Sequence, residues 1–319
     1  MAIYDVFNGD ADGILALVQL RLAEPKESTL ITGVKRDISL LKQVDKSQAT
    51  SVTVLDISME KNIDALNDLL AANIPVSYTD HHRAGDIPSS SLLTANIDTD
   101  ANTCTSLLVN QQLGGQFANW AIAAAFGDNM TASAVALAES VGLTQAQQEK
   151  LKAFGIYVNY NGYGRTVDDL HYKPDALFQL LVQHADPLTL VEQEDSVFAR
   201  LEKAYQADMA LAESAKVLAD NDICKVVELA DEAWARRVSG VFGNELANRS
   251  PNKAHAVVTQ NADGTYTISL RTPLNNKQGA SDICVQFPTG GGRAGAAGIN
   301  NLPAEQLDLF IATLTDYYR

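Results

Sequence analysis

Short apolar runs alternate with helical patterns over residues 1–80. The helical stretches DGILALVQLRLA and KNIDALNDLLAAN repeat apolar residues at a spacing of three to four. Between them lie runs rich in β-branched or aromatic residues, which are AIYDVF, TLITGV, SVTVLDIS and PVSYTD. Strands that alternate with helices predict βαβ units, and therefore a parallel sheet covered on both faces. The predicted fold class of this part is α/β.

The middle of the chain has a different pattern. The alanine-rich segment FANWAIAAAFGDN predicts a buried helix or strand that ends at Asp128. From Thr131 to about Leu218 the pattern is helical throughout, and DSVFARLEKAYQADMALAESAKVLA predicts a long linker helix.

Strands return in the last hundred residues. ICKVVELAD, AHAVVTQN and TYTISLRT predict strands, and NADG between the last two predicts a hairpin turn. AWARRVSGVFGNELANR and AEQLDLFIATLTDYYR predict helices on that sheet. We therefore expect a parallel-sheet domain at 1–190, a helical linker at 191–221 and a smaller α+β domain at 222–319.

The distribution of charge along the chain indicates which kinds of partner it can bind. The net charge is −15, yet the chain from Asp222 onward has nine Lys and Arg against ten Asp and Glu, so nearly all of the excess acid lies before it. Proteins that grip long duplex nucleic acid usually carry a basic stripe, which this pattern lacks.

The sequence also indicates where in the cell the protein is expected. The start MAIYDVFNGDADG does not match a signal peptide, and no apolar run has the roughly 20 residues that span a bilayer. We expect a cytoplasmic protein without membrane partners. Its three widely spaced cysteines are expected to be reduced and buried.

Acids and histidines follow three of the predicted strands. They stand in VFNGDADG, which holds Asp10 and Asp12, in VLDIS, which holds Asp56, and in YTDHH, which holds Asp80, His81 and His82. The carboxyl ends of parallel strands share one edge of the sheet, so these groups are expected to converge. On its own the Asp10–Asp12 pair is a weak signal, because acid pairs at turns are commonly helix caps or solvated loop residues.

The combined set predicts a metal site. Carboxylates together with imidazole are the donors that divalent cations such as Mn²⁺ require. Five groups, Asp10, Asp12, Asp56, His81 and Asp128, suffice for two ions that share a ligand. Two such ions about 3.5–4 Å apart can clamp the attacking and leaving oxygens of a displacement at phosphorus.

The succession GDADG, VLDIS, TDHH and FGDN resembles the four motifs of the DHH phosphoesterase superfamily. That superfamily includes RecJ exonucleases, nano-RNases, dinucleotide phosphodiesterases, exopolyphosphatases and manganese inorganic pyrophosphatases. The resemblance implies the five metal ligands named above, with Asp56 bridging the ions. It also implies that Asp80 orients the metal-bound imidazole, that His82 faces the substrate, and that Arg83 pairs with a substrate phosphate; simple packing of His82 and solvation of Arg83 remain the alternatives.

Two positions depart from the pattern of that superfamily. Many members have a histidine four residues before the first aspartate of the pair, where this chain has Val6. RecJ-type motifs have an aspartate two residues before it, where this chain has Asn8. An amide oxygen ligates weakly and brings no charge, so one tight ion and one loose ion are expected.

A glycine-rich stretch near the end, PTGGGRAGAAGINNL, contains G-x-G-x-x-G at Gly290, Gly292 and Gly295. Its late position argues against a dinucleotide-binding βαβ unit. It predicts instead a nest of backbone N–H groups that binds an anion and leads into a helix, with a plain tight turn as the alternative.

This stretch also resembles the GGGH-x-x-A-A-G loop of the DHHA1 domain, and TISLRT resembles that domain's S-x-R-S segment. The resemblance implies that Arg271 and the loop residues Gly290, Gly291, Gly292 and Arg293 hold the end of the substrate. Arg293 stands in place of the loop histidine. A guanidinium still grips phosphate oxygens but removes acid–base chemistry there.

Together these features predict a phosphodiesterase dependent on Mn²⁺, with Mg²⁺ as the alternative ion. Its expected reaction is attack of metal-activated hydroxide on short oligonucleotides or dinucleotides, trimmed from one end. The alternatives are a polyphosphatase or small-nucleotide phosphatase on the same centre, and a nucleotide-binding regulatory protein without turnover.

Overall fold

A five-stranded parallel sheet forms the centre of the first half of the structure, a computed structural model that describes residues 1–319. Its strand order is β2-β1-β3-β4-β5, and every neighbouring pair is parallel. The α/β prediction is confirmed. The strands are β1 Ala2–Phe7, β2 Thr29–Ile31, β3 Ala49–Leu55, β4 Val76–Asp80 and β5 Leu93–Ile97.

The sequence pattern did not predict edge strand β5. None of the residues of LTANI is fully buried, so the segment lacks the apolar run by which the other strands were found. An edge strand has a neighbour on one side only and needs less apolar surface.

Nine helices accompany this sheet or follow it. They are α1 Ala11–Ala23, α2 Ile63–Ala71, α3 Thr105–Gln112, α4 Ala118–Gly127, α5 Thr131–Ser140, α6 Gln145–Asn161, α7 Pro174–Leu181, α8 Pro187–Val191 and α9 Val197–Ala212. The alanine-rich segment, which the pattern left open between helix and strand, is helix α4. Nine of its ten residues are buried, as expected for a helix that is apolar all round.

The strand order creates a crevice beside β1. From β1 the chain crosses through α1 to β2 on one side, and it returns to β3 on the other side. In open parallel sheets such a reversal leaves a binding crevice at the carboxyl ends of the two strands that flank it. Asp10 follows β1 and Asp56 follows β3, so both lie at this reversal.

The core of the sheet is built from the β-branched and aromatic residues of the strands. Val6, Val54 and Tyr78 are fully buried and belong to one hydrophobic cluster, which also includes Leu66 and Leu69 from α2. The burial of each large apolar side chain contributes roughly 1.5–3 kcal/mol, so this cluster fixes the strand ends that carry the polar groups.

The chain divides into two units, Met1–Lys203 and Ala204–Arg319. The predicted boundaries at 190 and 222 stay predictions, and the observed division falls between them, within α9. The second unit holds a six-stranded sheet in the order β10-β11-β9-β8-β7-β6. Its elements are β6 Lys216–Asp220, β7 Cys224–Leu229, α10 Ala233–Arg249, β8 Ala254–Gln260, β9 Tyr266–Arg271, α11 Ala280–Cys284, β10 Gly290–Gly292, β11 Ala296–Leu302 and α12 Leu307–Tyr317.

The second sheet is mixed, because β7 and β8 are parallel and the other neighbouring pairs are antiparallel. The predicted hairpin at NADG joins β8 to β9, with the Gly264 N–H donating to the Asn261 carbonyl at 3.0 Å. Helix α10 packs against β8 and β9, and α12 packs against β7.

Two predictions for this half were wrong. The linker helix expected to reach Leu218 ends at Ala212, and the segment after it pairs as edge strand β6 with β7. Alanine, lysine and leucine favour helices locally, but strand pairing overrides a weak propensity. The glycine stretch leads into strand β11 rather than a helix, because Gly290–Gly292 pairs antiparallel with it as β10.

The three cysteines, Cys104, Cys224 and Cys284, are free and buried, as predicted. Among the helices, none combines the length and the apolar character that crossing a bilayer requires.

Helices α4 and α6 approach each other at two glycines. A Cβ on Gly155 would lie 1.8 Å from the carbonyl oxygen of Ala123, and one on Gly127 would lie 2.6 Å from the carbonyl oxygen of Gly155. Such a distance leaves no room for a methyl group. This crossing sets the position of Asp128 at the end of α4 and of Asn159, one turn beyond Gly155 in α6.

Gly155→Ala is expected to lower the free energy of unfolding by about 1–3 kcal/mol, because the new methyl group forces the two helices apart. Urea denaturation followed by circular dichroism measures this change. Lys152→Ala, at an exposed position of the same helix, serves as the control and should change stability little. If the helices did not approach this closely, alanine would instead stabilise α6 by about 1 kcal/mol, so a gain in stability contradicts the account.

Candidate metal centre

The turn between β1 and α1 places the first predicted ligand. Asp10 is the N-cap of α1, and its Oδ1 accepts hydrogen bonds from the N–H groups of Asp12 at 3.0 Å and Gly13 at 3.1 Å. A Cβ on Gly9 would lie 1.8 Å from the carbonyl oxygen of Gly33, so only glycine lets this turn contact the loop after β2. Asp10 is therefore a helix cap, as the weaker interpretation of the acid pair proposed, and these two hydrogen bonds orient its carboxylate.

Asp12 lies in the first turn of α1 and reaches the start of α3. Its Oδ2 accepts the N–H of Thr105 and its Oδ1 accepts the N–H of Ser106, both at 2.7 Å. These two N–H groups belong to a helix N-terminus, which favours negative charge. These two hydrogen bonds hold the buried carboxylate in one orientation, with lone pairs left for another partner.

Asp56, directly after β3, has a left-handed backbone with φ 58°. A non-glycine residue in this region costs of order 1–3 kcal/mol, and such strain is common at functional sites. Its Oδ1 accepts a hydrogen bond from Thr105 Oγ1 at 3.1 Å. Burial, followed by repulsion from Asp12 and Asp10, raises the pKa of the Asp56 carboxyl well above its ordinary value.

His81 completes this group of donors. Its Nδ1 lies 3.0 Å from the carbonyl oxygen of Thr103. A carbonyl oxygen only accepts, so Nδ1 carries a proton and Nε2 is the nitrogen that faces the carboxylates. Nε2 lies 3.4 Å from Asp56 Oδ1 and 3.8 Å from Asp12 Oδ2.

Asp56, His81 and His82 place one ligand atom each within 4.8 Å of one another, a spacing that could hold a divalent cation, and Asp12 Oδ2 lies beside them at 3.8 Å from His81 Nε2. Ligand bonds of about 2.1 Å at angles of 90–110° place donor atoms about 3.0–3.4 Å apart, close to the spacing around His81 Nε2. The donors are carboxylates and imidazole, and the other nitrogen of His81 is held by a carbonyl, the usual arrangement of a metal-bound histidine.

His82 and Asp80 form a separate pair beside these donors. His82 Nδ1 lies 2.7 Å from Asp80 Oδ1, and the side chain of His82 is 34% exposed. Burial works against the charged ring, but the hydrogen bond and the charge of Asp80 outweigh it and raise the pKa of His82. The other carboxylate oxygen of Asp80 is buried without a hydrogen-bond partner.

This pairing corrects the expectation that Asp80 orients the metal-bound imidazole. Asp80 contacts His82, and the Thr103 carbonyl orients His81.

The remaining predicted ligand, Asp128, caps the C-terminus of α4. Its Oδ1 lies 3.5 Å from the Nζ of Lys35, which also lies 2.5 Å from Asp10 Oδ2. Burial alone would lower the pKa of Lys35, but the attraction of Asp10, then of Tyr163 and Asp128, raises it above its ordinary value. In return, Lys35 outweighs burial and lowers the pKa of Asp10. The structure therefore places a charged ammonium between two of the five predicted ligands.

Sequence reasoning missed Lys35. It follows β2, at the same edge of the sheet as the predicted ligands, in the stretch TGVKRD. The rule that polar groups gather at strand ends covers this position. We had applied that rule only to acids and histidines.

The two departures from the family pattern are both buried. Val6 lies in β1 within the hydrophobic cluster. Asn8 accepts the N–H of Asp10 at 3.2 Å through Oδ1 and donates through Nδ2 to the Lys35 carbonyl at 3.1 Å. Its predicted role as a weak ligand stays a prediction, and its observed contacts hold the β1–α1 turn and the Lys35 loop together.

The predicted substrate residues make other contacts. Arg83 is exposed, and its carbonyl accepts a hydrogen bond from Ser58 Oγ at 3.0 Å. Arg271 donates to Asn244 Oδ1 at 2.5 Å, and to the carbonyls of Gly240 and Leu270. Arg293 lies exposed on the turn between β10 and β11, after the strand formed by Gly290, Gly291 and Gly292.

Mn²⁺ affinity is expected to fall as the pH is lowered, because a cation must displace the proton that Asp56 holds at its raised pKa. At pH values below that pKa, each bound ion displaces one proton. Each further decrease of one pH unit then weakens binding about tenfold. Isothermal titration calorimetry at about pH 6, in two buffers of different ionisation enthalpy, measures the released proton.

The Asp56→Asn variant is the control, and it should bind Mn²⁺ more weakly and without this proton release. Equal wild-type affinities at about pH 5.5 and about pH 7.5 would show that Asp56 holds no proton that the ion displaces.

Comparisons with known proteins concern the fold. No protein-family model matches the sequence, and no curated protein matches it. Among solved structures, RecJ from Thermus thermophilus in complex with Mn²⁺ aligns with a TM-score of 0.66 and 18% identity. The alignment covers 99% of this chain and 52% of that RecJ chain, so this chain spans about half the length of that protein.

Two further structures align over nearly their whole length. The pGpG-specific phosphodiesterase PggH from Vibrio cholerae has a TM-score of 0.55 and 12% identity, with 100% of this chain and 99% of that chain covered. An exopolyphosphatase-related protein from Bacteroides fragilis has a TM-score of 0.53 and 13% identity, with 99% and 92% covered. The chain therefore shares its fold with RecJ, PggH and this exopolyphosphatase-related protein.

Proposed function

We propose that this chain is a divalent-metal-dependent phosphodiesterase that hydrolyses short oligonucleotides or dinucleotides from one end. The observation that carries the proposal is the convergence of Asp12, Asp56 and His81 at the strand reversal, with the half-exposed His82 beside them. The fold neighbours support it, since one is RecJ in complex with Mn²⁺ and another is a pGpG-specific phosphodiesterase.

When bound, the cation supplies positive charge that polarises a phosphoryl oxygen and lowers the pKa of a bound water. The protein supplies a rigid set of donors. The N–H groups of Thr105 and Ser106 fix Asp12, and the Thr103 carbonyl fixes the tautomer of His81. Mn²⁺ and Mg²⁺ both suit a set dominated by carboxylates, and the imidazole favours Mn²⁺.

His82 is suited to give a proton to the leaving oxygen. Its Nδ1–H donates to Asp80, so Nε2 is the nitrogen left to exchange a proton with the substrate. The Asp80 carboxylate stabilises the imidazolium and raises its pKa, which keeps a larger fraction of the ring protonated near neutral pH. Asp80 is therefore a positioning residue for His82.

Short substrates are favoured by charge. The part of the chain before Asp222 carries nearly all of the −15 net charge, which repels a long polyanion. We further propose that the second unit recognises a terminal phosphate through Arg293, which is exposed at a turn preceded by glycines. We also propose that Arg83 and Arg271 contact phosphate groups of the substrate. A cytoplasmic location is a further part of the proposal.

A second function, a polyphosphatase or small-nucleotide phosphatase on the same centre, is favoured by one observation. The exopolyphosphatase-related protein shares the fold over 99% of this chain. Product analysis with labelled oligonucleotides, cyclic dinucleotides and polyphosphate distinguishes the two. The third possibility, a regulatory protein without turnover, is tested by the next experiment.

Asp56→Ala is expected to reduce Mn²⁺-dependent hydrolysis of bis-p-nitrophenyl phosphate by at least about a hundredfold, because it removes the carboxylate nearest to His81 Nε2. Initial rates with saturating Mn²⁺ measure the loss. Asp64→Ala removes an exposed acid of α2 and is the matched control, with wild-type rates expected. Equal rates for Asp56→Ala and the wild type would exclude this centre as the site of hydrolysis.

His82→Gln separates proton donation from metal binding. It should slow hydrolysis of a dinucleotide by about 10²–10⁴, since an alkoxide leaving group needs a proton. Hydrolysis of bis-p-nitrophenyl phosphate, whose leaving group departs as an anion, should change far less. The comparison requires kcat for both substrates and the bound Mn²⁺ of the variant, which should equal that of the wild type. Equal losses on both substrates would mean that His82 does not act as the acid.

A further inference from the structure

The ammonium of Lys35 has a complete set of acceptors. Its Nζ lies 2.5 Å from Asp10 Oδ2, 3.0 Å from Asn159 Oδ1 and 3.5 Å from Asp128 Oδ1. It also lies 5.5 Å from the centre of the Tyr163 ring, within the range of a cation–π contact. Two carboxylates, an amide oxygen and an aromatic face are a cage for a cation, and here the cation is part of the chain.

The backbone holds Lys35 in this place. Its N–H donates to the carbonyl of Gly162 at 2.8 Å, just beyond α6. Its carbonyl accepts from Asn8 Nδ2 at 3.1 Å, in the β1–α1 turn. The side chain is only 21% exposed. A lysine fixed at both backbone groups, with its charge enclosed, is a built feature of the site rather than a surface side chain.

The chain lacks the other donors that a second metal ion needs here. Val6 is buried and apolar in β1. Both polar atoms of the Asn8 amide are used in holding the turn and the loop. Of the donors expected around a second ion, Asp10, Asp128 and the bridging Asp56 remain, and the first two face the Lys35 ammonium. The residues therefore fit one divalent ion at Asp12, Asp56 and His81 and do not fit a second one.

We propose that Lys35 replaces the second metal ion, so that the chain binds a single divalent cation and its own ammonium neutralises Asp10 and Asp128. This proposal rests on the metal-dependent function proposed above. A fixed ammonium brings one positive charge instead of two, but it needs no free ion and cannot be removed by chelation. The one exchangeable ion then sets the metal dependence of the protein.

Counting the bound ions tests this directly. Wild-type protein equilibrated with Mn²⁺ by dialysis should contain one ion per chain by inductively coupled plasma mass spectrometry. Its Mn²⁺ electron paramagnetic resonance spectrum should show the six lines of an isolated ion. Lys35→Met removes the charge at similar length and should take up a second ion, with the six lines lost to coupling between ions about 3.5–4 Å apart.

Two variants serve as controls, and circular dichroism checks the fold of all of them. Lys35→Arg keeps the charge and should stay at one ion. Lys42→Met changes an exposed lysine and should also stay at one.

The possible results distinguish this proposal from the metal-dependent function on which it rests. Two coupled ions in the wild type would overturn the proposal and leave the metal-dependent function standing. One ion in both the wild type and folded Lys35→Met would also overturn it, since something other than Lys35 would then limit the number. No bound ion in the wild type would contradict the metal-dependent function itself.

Discussion

The repulsion among buried carboxylates at one edge of a parallel sheet is the constraint on which this structure depends. Asp10, Asp12 and Asp56 lie close enough to raise the pKa of Asp56 well above its ordinary value. Buried charges are tolerated only when they are paired, hydrogen-bonded or bound to a cation. Each acid here meets that requirement in its own way. Asp12 accepts two N–H groups of α3, Asp10 caps α1 and contacts Lys35, and Asp56 accepts the Thr105 hydroxyl and is the acid that we propose binds an exchangeable ion.

The fold makes this convergence possible through close backbone contacts. The reversal of strand order at β1 brings the ends of β1 and β3 to one crevice. Gly9 lets the first turn contact the loop that carries Lys35, and Gly155 lets α6 contact α4 near Asp128 and Asn159. Packing and chemistry are thus linked, because the same contacts that bury apolar surface also set the distances between charges.

Much of the first unit could be predicted from the sequence. Runs rich in β-branched residues, such as that of β3, are visible without a structure, and the rule for parallel sheets then places Asp56 and His81 at one edge. Pairing partners were not predictable. The contact of Asp80 with His82 rather than His81 depends on the bend that follows β4, and β6 depends on pairing that overrides helix propensity. The rule for strand ends covers Lys35, but the contact of its ammonium with Asn159, more than a hundred residues away in the chain, was not predictable.

The most direct measurement of the central claim is a crystal structure of the protein grown with Mn²⁺, with anomalous diffraction recorded at the manganese edge. The account predicts one anomalous peak, in contact with Asp12, Asp56 and His81, and the Lys35 ammonium still bound to Asp10. Two peaks with Lys35 displaced from Asp10, or no peak at all beside His81, would contradict it.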